Sequence, residues 1–332
     1  MGKPVAVIIL NWNGAKLLRE FLPSVCENTN ANIADIIIAD NGSTDNSIEV
    51  LEKEFPSVKV IKFDKNYGFA EGYNKAIEAT NYKYTVLLNS DVKTASGWIE
   101  PLYEYCEAHP GTAACQPKLL SYNEPDKFEY AGAAGGFIDK LGYPYCRGRI
   151  FSTIETDNGQ YDGEPKDIVW ATGAALFVRS EVYLKAGGLD AKFFAHMEEI
   201  DLCWRIHQLG YYIKIIPQST VYHLGGGSLP ASNPHKTYLN FRNNLLLLYK
   251  NLPQKEGKRK LVIRRIYDSL AFFQFLAKMD IGNANAVLKA HHDFRRMKQD
   301  YNEFPQKNLL KLFPGANRNI IIDYFVKGRK TF

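Results

Sequence analysis

Hydrophobic and polar positions over the first 120 residues follow two alternating patterns. Short apolar runs rich in β-branched residues are separated by stretches whose apolar residues recur every three or four positions. The first pattern is typical of strands in a sheet that helices cover on both faces, and the second of amphipathic helices. The predicted order is βαβαβαβ and a further helix, with strands at residues 5–10, 35–39, 58–63 and 84–88 and helices at 15–26, 47–55, 69–80 and 97–108.

Polar residues follow each of these predicted strands directly. In open α/β sheets the ligand lies beyond the carboxyl ends of the strands, so these residues are expected to line one site. The four polar segments are Asn11 to Gly14, Asp40 to Asp45, Asp64 to Gly68 and Asn89 to Asp91.

The second half of the chain has weaker patterns. Residues 118–168 are rich in Gly, Tyr and Asp and have no clear period, so their structure is left open. Regular patterns return afterwards and become helical from residue 236 to about residue 303. Before that point there is a regular segment at 170–179, followed by a predicted helix at 197–209, strands at 211–216 and 220–223, and a glycine run at 225–227.

Composition identifies a globular chain with an uneven charge. Apolar residues make up 45% and charged residues 23% of the 332 residues. Residues 1–250 carry 24 Lys and Arg against 29 Asp and Glu, a balance of −5, whereas residues 251–332 carry 17 against 7, a balance of +10. A basic segment of this kind favours an anionic surface as its partner, although a solvated helical face is the simpler interpretation.

The basic segment has an amphipathic character. Six basic residues precede or enter the apolar stretch 261–279, which predicts a helix lying on the inner membrane surface. Helices packed on the catalytic domain, or on a second copy of the chain in a homodimer, are an equal alternative. The basic residues are Lys255, Lys258, Arg259, Lys260, Arg264 and Arg265.

Cysteine usage and the N-terminus favour a cytoplasmic protein. The five cysteines are odd in number, scattered and without a CxxC pair, which suits reduced thiols. The apolar run at 5–10 passes directly into asparagines without a cleavage site, which favours a strand over a signal peptide. No run approaches the roughly 18 apolar residues of a membrane span.

Three segments carry candidate chemistry. Asn89 and Asp91 flank one residue after a buried strand, so their oxygens face the same side and suit a hard cation, although such residues are also common in turns. His223 is a candidate to complete that site, and the following glycines a candidate contact for a diphosphate. Glu198 and Glu199 follow an apolar segment, where a raised pKa would suit a general base.

Two further residues have competing interpretations. Asp40 could accept the ring N–H of uracil, thymine or guanine, while the residues after it also fit a helix cap. Arg242 could bind a phosphate through both guanidinium N–H groups, or lie on a surface helix. The sequence contains no GxGxxG after the first strand, no P-loop, no HExxH, no GxSxG and no zinc-finger or RNA-recognition signature, so nucleic acid is not an expected partner.

Six segments in order resemble the family-two glycosyltransferases, and the bacterial rhamnosyltransferase-like branch in particular. They lie between about residues 4 and 250. This resemblance implies a GT-A fold, an α/β/α sandwich that binds a nucleotide-sugar, with Mg²⁺ or Mn²⁺ and inversion at the anomeric carbon. The segments are NWNG at 11–14, DNGSTDNS at 40–47, NYGFAEGYN at 66–74, LLNSD at 87–91, TGAALFVRSEVY at 172–183 and GGLDAKFFAHMEEIDLCWR at 187–205.

The resemblance also implies roles for individual residues. Asp91 and His223 are the expected metal ligands, although the first acid of the family's DxD element is Asn89 here. The family's Glu-Asp pair is Glu198-Glu199, with Glu199 expected to be the base and Glu198 left open. The residues expected to bind the donor are Asn11, Trp12, Asn13, Asp40, Asn66, Gly68, Phe69, Asn74 and Asn89, with Arg242 added from the residues alone.

The expected domain is 1–250, with a nucleotide-binding half at 1–117 and an acceptor-binding half at 118–250, followed by a mostly helical extension at 251–332. The implied reaction is transfer of a sugar from a UDP- or dTDP-sugar to a hydroxyl of a glycan or lipid-linked acceptor in cell-surface polysaccharide synthesis. A sugar-1-phosphate nucleotidyltransferase and a non-catalytic protein that binds membrane or nucleic acid remain alternatives.

Overall fold

The computed structural model describes residues 2–225 and 233–332 of the chain. In chain order, the strands of these residues are β1 (Val5–Asn11), β2 (Ala34–Asp40), β3 (Lys59–Lys62), β4 (Tyr84–Leu88), β5 (Val92–Thr94), β6 (Thr112–Ser121), β7 (Gly136–Ile138), β8 (Pro144–Cys146), β9 (Arg149–Ile150), β10 (Thr153–Ile154), β11 (Lys166–Asp167), β12 (Ala175–Arg179) and β13 (Tyr212–His223).

Helices cover the faces of the sheet and form the C-terminal segment. The α-helices are α1 (Ala15–Asn28), α2 (Ser47–Glu54), α3 (Gly68–Glu78), α4 (Glu100–Ala108), α5 (Ser180–Lys185), α6 (Glu198–Gln208), α7 (Pro234–Asn251), α8 (Gln254–Ala277) and α9 (Ile281–Met297). Short 3-10 turns occur at Ala191–Phe193, Lys298–Asp300 and Leu309–Lys311, and a π-helical turn at Ile322–Val326. Within the described ranges, every helix is too short or too polar to cross a lipid bilayer.

The main sheet combines a parallel half with a mixed half. Its strand order is β11-β13-β6-β12-β4-β1-β2-β3, and β5 pairs with β13 outside this path. The strands β3, β2, β1 and β4 run parallel, as the sequence predicts, because a helix between each strand and the next one in the chain carries the chain back across the sheet. Strand β12 is antiparallel to both of its neighbours, β4 and β6, and joins the two halves.

The second half of the sheet differs from the sequence prediction in two places. Strand β6 was not predicted, because Gln116, Pro117 and Lys118 interrupt its apolar pattern although they are almost entirely buried. The two strands predicted at 211–216 and 220–223 form one strand, β13, whose pairing with β6 shifts register between Ile216 and Thr220. A bend of this kind separates the two apolar runs in the sequence without ending the strand.

A small sheet occupies part of the region that the sequence left open. Its order is β10-β9-β8-β7, and its strands have only two or three residues each. Strands this short contain too few positions to produce a detectable alternation. Their aromatic residues Phe137 and Tyr145 are nevertheless part of the same hydrophobic core as the main sheet.

The C-terminal segment packs into that core as well. Leu261 of α8, Phe294 of α9 and Phe313 belong to the same buried cluster as the residues of the sheet. The predicted boundary at residue 250 coincides with the end of α7, at Asn251. The separation of residues 251–332 as a domain of its own stays a prediction. The apolar core continues across that boundary and does not favour it.

Arg264 fixes α8 to the rest of the protein. The sequence placed this residue on a basic surface, but it is almost completely buried. Its guanidinium lies 3.6 Å from the centre of the Tyr143 ring, donates to Asn244 and lies 3.4 Å from Asp268. Asp268 is buried too and also pairs with His291 of α9 at 3.0 Å. Arg264 is therefore part of the internal packing and not of a surface patch.

We expect Arg264→Ala to lower the free energy of unfolding by about 3–5 kcal/mol, because it leaves the buried carboxylate of Asp268 without its arginine partner. Urea unfolding measures this change. The matched control is Arg259→Ala on the exposed face of the same helix, with an expected change within about 0.5 kcal/mol. Equal stability of the two variants would show that Arg264 does not anchor α8.

Candidate active site

A cavity of about 870 Å³ opens where the carboxyl ends of β1 and β4 meet the N-terminus of α6 and the end of β13. Its position agrees with the prediction that ligands lie beyond the carboxyl ends of the strands. The structure brings together nine of the predicted site residues in its lining, namely Trp12, Asn66, Gly68, Phe69, Asn89, Asp91, Glu198, Glu199 and His223.

Asn11, Asn13 and Asp40 are not part of this lining. Asp40 is buried, and its carboxylate accepts hydrogen bonds from the Asn11 side chain at 2.9 Å and from the Ser43 backbone N–H at 3.1 Å. Asn13 has a positive φ of 51° and accepts a hydrogen bond from the Thr44 N–H at 2.7 Å. These contacts join the loop after β1 to the loop after β2, so the observed role of these residues is to shape the wall of the cavity.

Asn74 is placed away from the cavity. Its side-chain amide donates to the Leu189 carbonyl at 2.9 Å and accepts from the Leu189 N–H at 2.9 Å. Its oxygen also accepts from the Tyr183 hydroxyl at 2.6 Å. With its amide group occupied by protein atoms, Asn74 holds the segment before α6 in place, and its position does not favour the predicted donor contact.

Asn41, which the sequence analysis did not select, does line the cavity. Its side chain donates to Asn66 at 2.9 Å and to the Gly68 carbonyl at 3.0 Å, and it accepts from the Tyr67 N–H at 2.9 Å. Gly68 has a φ of 79°, a conformation that favours glycine, at the start of α3. Asn41 therefore holds the Asn66–Gly68 turn with its polar groups at the cavity wall.

His223 and Asp91 meet because β5 pairs with the end of β13. In this pairing His223 lies opposite Val92, the residue after Asp91, and the Leu224 N–H donates to the Asp91 carbonyl at 3.0 Å. The Nε2 atom of His223 is 3.1 Å from Oδ1 of Asp91 and 3.5 Å from the side-chain nitrogen of Asn89. Two residues separated by 132 positions thus form one polar group at the cavity wall.

Glu129 is the second carboxylate on this histidine and was missed by the sequence analysis. It is buried, and its Oε1 lies 3.3 Å from Nδ1 of His223 while its Oε2 accepts from the Ala131 N–H at 2.5 Å. Burial alone would lower the pKa of His223, but the two carboxylates raise it to about 10. Burial alone would likewise raise the pKa of Asp91, and its hydrogen bond to His223 lowers it instead.

This donor set fits a divalent cation that is partly held by substrate. Asp91 and the Nε2 atom of His223 are adjacent oxygen and nitrogen donors, and a cation between them would take the place of the shared proton. Among the described residues no group of three or more His, Cys, Asp or Glu side chains is arranged to hold a metal ion. The remaining ligands would therefore come from diphosphate oxygens and water, as Mg²⁺ usually requires.

The acidic pair Glu198-Glu199 faces the same cavity from the N-terminus of α6. One carboxyl oxygen of each, Oε2, is buried without a hydrogen-bond partner within the protein. Burial raises the pKa of Glu199 to about 7, and burial together with the charge of Glu199 raises the pKa of Glu198 well above its usual range. The two adjacent carboxyls therefore titrate as a pair, and Glu199, whose pKa is raised less, is the better candidate for a base near neutral pH.

A strained turn presents this pair to the cavity. Phe194, His196 and Met197 have positive φ values of 66°, 67° and 74°, which side-chain-bearing residues adopt at a cost of about 1–3 kcal/mol each. The turn persists because Asn243 of α7, fully buried, donates to the carbonyls of Phe193, Ala195 and His196 at 2.9, 2.8 and 2.7 Å. Asn243 thus fixes the position of the acidic pair Glu198-Glu199 at the start of α6.

Arg242 contributes to the same turn instead of lining the cavity. It is buried, donates to the Phe193 carbonyl at 2.7 Å and to the Asn243 side chain at 2.9 Å, and contacts the Tyr238 hydroxyl at 3.2 Å. Its N–H groups are therefore engaged by the protein, and its position does not favour the predicted phosphate contact. A basic residue near it in sequence, Lys236, is the one that lines the cavity.

His196 is a further polar group that the sequence analysis did not select. It lines the cavity, its Nε2 atom is buried without a partner, and burial lowers its pKa to about 4, so the ring is neutral. The sequence around His196 contains no motif that marks it as a site residue, and its positive φ of 67° is visible only in the structure. Of the glycine run expected to approach a diphosphate, Gly225 lines the cavity, while Gly226 and Gly227 lie outside the described residues.

Solved structures share this fold. A structure of GalNAc-T7 with UDP, GalNAc and Mn²⁺ superposes with a TM-score of 0.60 at 16% identity, covering 92% of this chain and 59% of that one. S. aureus TarS (1–349) with UDP-GlcNAc gives 0.57 at 14% identity, covering 88% of this chain and 80% of that one. The GT-A fold expected from the sequence is confirmed, and the cavity lies in a protein of glycosyltransferase architecture.

The family follows from the sequence itself. The model described as Glycosyl transferase family 2 matches residues 6–174, just over half of the 332 residues. The chain belongs to this family and is a glycosyltransferase. It is 24% identical over 235 residues to the N-acetylglucosaminyl-diphospho-decaprenol L-rhamnosyltransferase of Mycobacterium tuberculosis (strain ATCC 25618 / H37Rv), covering 65% of this chain and 75% of that protein. The predicted resemblance to rhamnosyltransferases is thereby confirmed.

We expect Asn243→Ala to lower kcat for sugar transfer by on the order of 10²-fold, because a displaced turn misplaces the acidic pair. The acidic limb of the pH–rate profile should also shift to lower pH, since a Glu199 released toward solvent loses the burial that raises its pKa. The control is Asn285→Ala, an exposed residue of α9. A folded Asn243→Ala protein with an unchanged kcat and pH profile would contradict this role.

Proposed function

We propose that the protein transfers a glycosyl group from a nucleoside-diphosphate sugar, UDP- or dTDP-linked, to a hydroxyl of a glycan or lipid-linked acceptor, with inversion at the anomeric carbon. The observation that carries the proposal is that one cavity contains both an adjacent pair of oxygen and nitrogen donors, Asp91 and His223, and an acidic pair with a raised pKa. Cell-surface polysaccharide synthesis is the setting that we propose, by analogy with the rhamnosyltransferase relative.

The acidic pair provides the base. Glu199, as a carboxylate, takes the proton from the acceptor hydroxyl while that oxygen forms a bond to the anomeric carbon. The bond from this carbon to the diphosphate oxygen breaks at the same time, and its electron pair stays on the departing diphosphate. A single displacement of this kind inverts the anomeric centre.

The pair at the end of β13 receives the diphosphate. Asp91 and His223 are the residues that we propose to hold Mg²⁺ or Mn²⁺, which would stabilise the negative charge that develops on the leaving group. Oε1 of Glu129 lies 3.3 Å from Nδ1 of His223, while Nε2 of the same ring faces Asp91. Glu129 is therefore a positioning residue, since it orients the imidazole ring from behind.

The donor contacts that we propose are those of the residues in the cavity wall. Phe69, Asn66, Asn89 and Gly68 are placed to contact the nucleotide-sugar, with Trp12 at the exposed rim. A base contact of Asp40 stays a prediction, as do a cytoplasmic location and a homodimer. Because the chain is a glycosyltransferase, we set aside the nucleotidyltransferase and the non-catalytic protein that the sequence left open.

We expect transfer to decline as the pH falls through about 7, because Glu199 acts as a base only without its proton and its pKa is about 7. Glu199→Gln should lower kcat by about 10²–10⁴-fold and leave donor affinity unchanged. Glu198→Gln is the matched control, because burial and the charge of Glu199 raise the pKa of Glu198 and favour its protonated form, and it should keep most of the turnover. Loss of turnover in Glu198→Gln with an active Glu199→Gln would reverse the assignment of the base.

We expect Mn²⁺ to increase the stabilisation of the protein by UDP in a thermal-shift titration, since a bound ligand stabilises the fold by mass action. Asp91→Ala should lose this metal-dependent part and lower turnover by on the order of 10²–10³-fold. Asp126→Ala, an exposed aspartate outside the cavity lining, is the control.

The same titration tests the positioning contact in graded form. Glu129→Ala should weaken Mn²⁺ binding by about 10–100-fold, and Glu129→Gln should weaken it less, because glutamine still accepts from the histidine ring. A full Mn²⁺ effect in Asp91→Ala would show that the cation binds elsewhere and would remove the proposed metal site.

A further inference from the structure

The exposed face of α8 carries large apolar side chains that no other part of the described chain covers. Val262, Ile266, Leu270 and Phe273 are 57%, 61%, 61% and 62% exposed. Their spacing of four, four and three residues places them on one side of the helix. Isolated exposed hydrophobic residues are ordinary, but a continuous row on one helix face marks an interaction surface.

The exposed charges around this row are predominantly basic. Within α8 and α9, which the structure describes throughout, every exposed charged residue is basic. The acids of the two helices are shielded or paired, for example Glu256 with Lys311 and Asp268 with Arg264. The exposed basic residues of the two helices are Lys255, Lys258, Arg259, Arg265, Lys289, Arg295 and Arg296, and Lys278 is exposed in the turn between them.

The apolar row continues to the mouth of the active-site cavity. The turn between α8 and α9 exposes Met279 by 81% and Ile281 by 50%. The next residue, Gly282, lies against Pro234, since a Cβ atom at Gly282 would be 3.0 Å from Cγ of Pro234. Pro234 begins α7, where the ring of His235 lies 6.4 Å from that of Phe194 in the cavity lining.

We propose that the exposed face of α8 together with the α8–α9 turn, here termed the α8 surface, binds an anionic lipid bilayer. The apolar side chains enter the boundary between headgroups and acyl chains, and the basic residues contact lipid phosphates. Bound in this way, the protein places the mouth of its cavity at the membrane. An acceptor hydroxyl carried on a lipid would be presented there. This last step rests on the proposed function, whereas binding to the bilayer does not.

Charge favours the bilayer over a second copy of the chain. A symmetric dimer through the α8 surface would pair the same patch with itself. The basic residues of both copies would then approach one another, and the partly exposed acids nearby, Glu256 and Asp280, are already engaged by Lys311 and Asn283. Anionic headgroups provide the complementary charge, and acyl chains accept the apolar row.

The test is flotation of the full-length protein with lipid vesicles. We expect it to float with vesicles of phosphatidylcholine and phosphatidylglycerol in equal amounts, less with pure phosphatidylcholine, and less as salt is raised. Ile266→Asp with Phe273→Asp should weaken binding by about tenfold or more, and Lys255→Glu with Arg259→Glu by a similar factor.

Controls of matched exposure separate this effect from general changes in the protein. Tyr212→Asp introduces an acid at a 59% exposed aromatic residue at the start of β13, the end of that strand remote from the cavity. Lys53→Glu with Lys185→Glu makes the same charge change on exposed lysines of other helices. Both control proteins should bind vesicles like the wild type.

Three results would overturn the proposal. They are equal binding to both kinds of vesicle, unchanged binding of the α8 variants, and light scattering that shows a dimer dissociated by Ile266→Asp with Phe273→Asp. Stabilisation by UDP with Mn²⁺ is measured on the same proteins. If the wild-type protein showed no such stabilisation, the result would count against the proposed function and not against membrane binding.

The α8 variants should keep full transfer to an acceptor analogue without a lipid chain and lose transfer to the same acceptor embedded in vesicles.

Discussion

The pairing of β5 with the end of β13 is the contact on which the site depends. It brings His223 to 3.1 Å from Asp91, although Asp91 belongs to the loop after β4 and His223 to the far half of the sheet. Each group alone would be an ordinary turn aspartate or a buried histidine. Held together with Glu129 behind the ring, they form a charged cluster at the cavity wall whose geometry suits a cation bound to a diphosphate.

The cavity gives its carboxyl groups opposite properties by environment alone. Asp91 accepts a hydrogen bond from His223, so its pKa falls and it stays charged. Glu199 lies in an apolar setting, so its pKa rises to about 7 and it can exchange a proton near neutral pH. Sugar transfer as proposed needs a permanent negative charge at the cation site and a base at the acceptor. Asp91 and Glu199 have the pKa values that suit these two roles. The turn held by Asn243 keeps the second group in place.

Local patterns in the sequence predicted the parallel half of the sheet, because strand periodicity is a local property. Nine residues of the cavity lining were predicted by these patterns together with the resemblance to family-two glycosyltransferases. Strand β6 was missed because polar residues and a proline interrupt its pattern. Arg242 and Asn74 were expected at the donor and instead bind backbone carbonyls, and Glu129 was missed altogether. These placements depend on contacts between distant segments, which a single sequence does not reveal. The same holds for Arg264, buried within an apparently basic surface.

The most direct test of the central claim is a crystal of the protein grown with UDP and Mn²⁺, in which anomalous scattering locates the manganese. The account predicts one manganese peak bonded to Asp91 and to Nε2 of His223, with the diphosphate completing its coordination and the Glu199 carboxyl facing the same cavity. A manganese and nucleotide bound together at another place, with Asp91 and His223 still paired to each other, would contradict it.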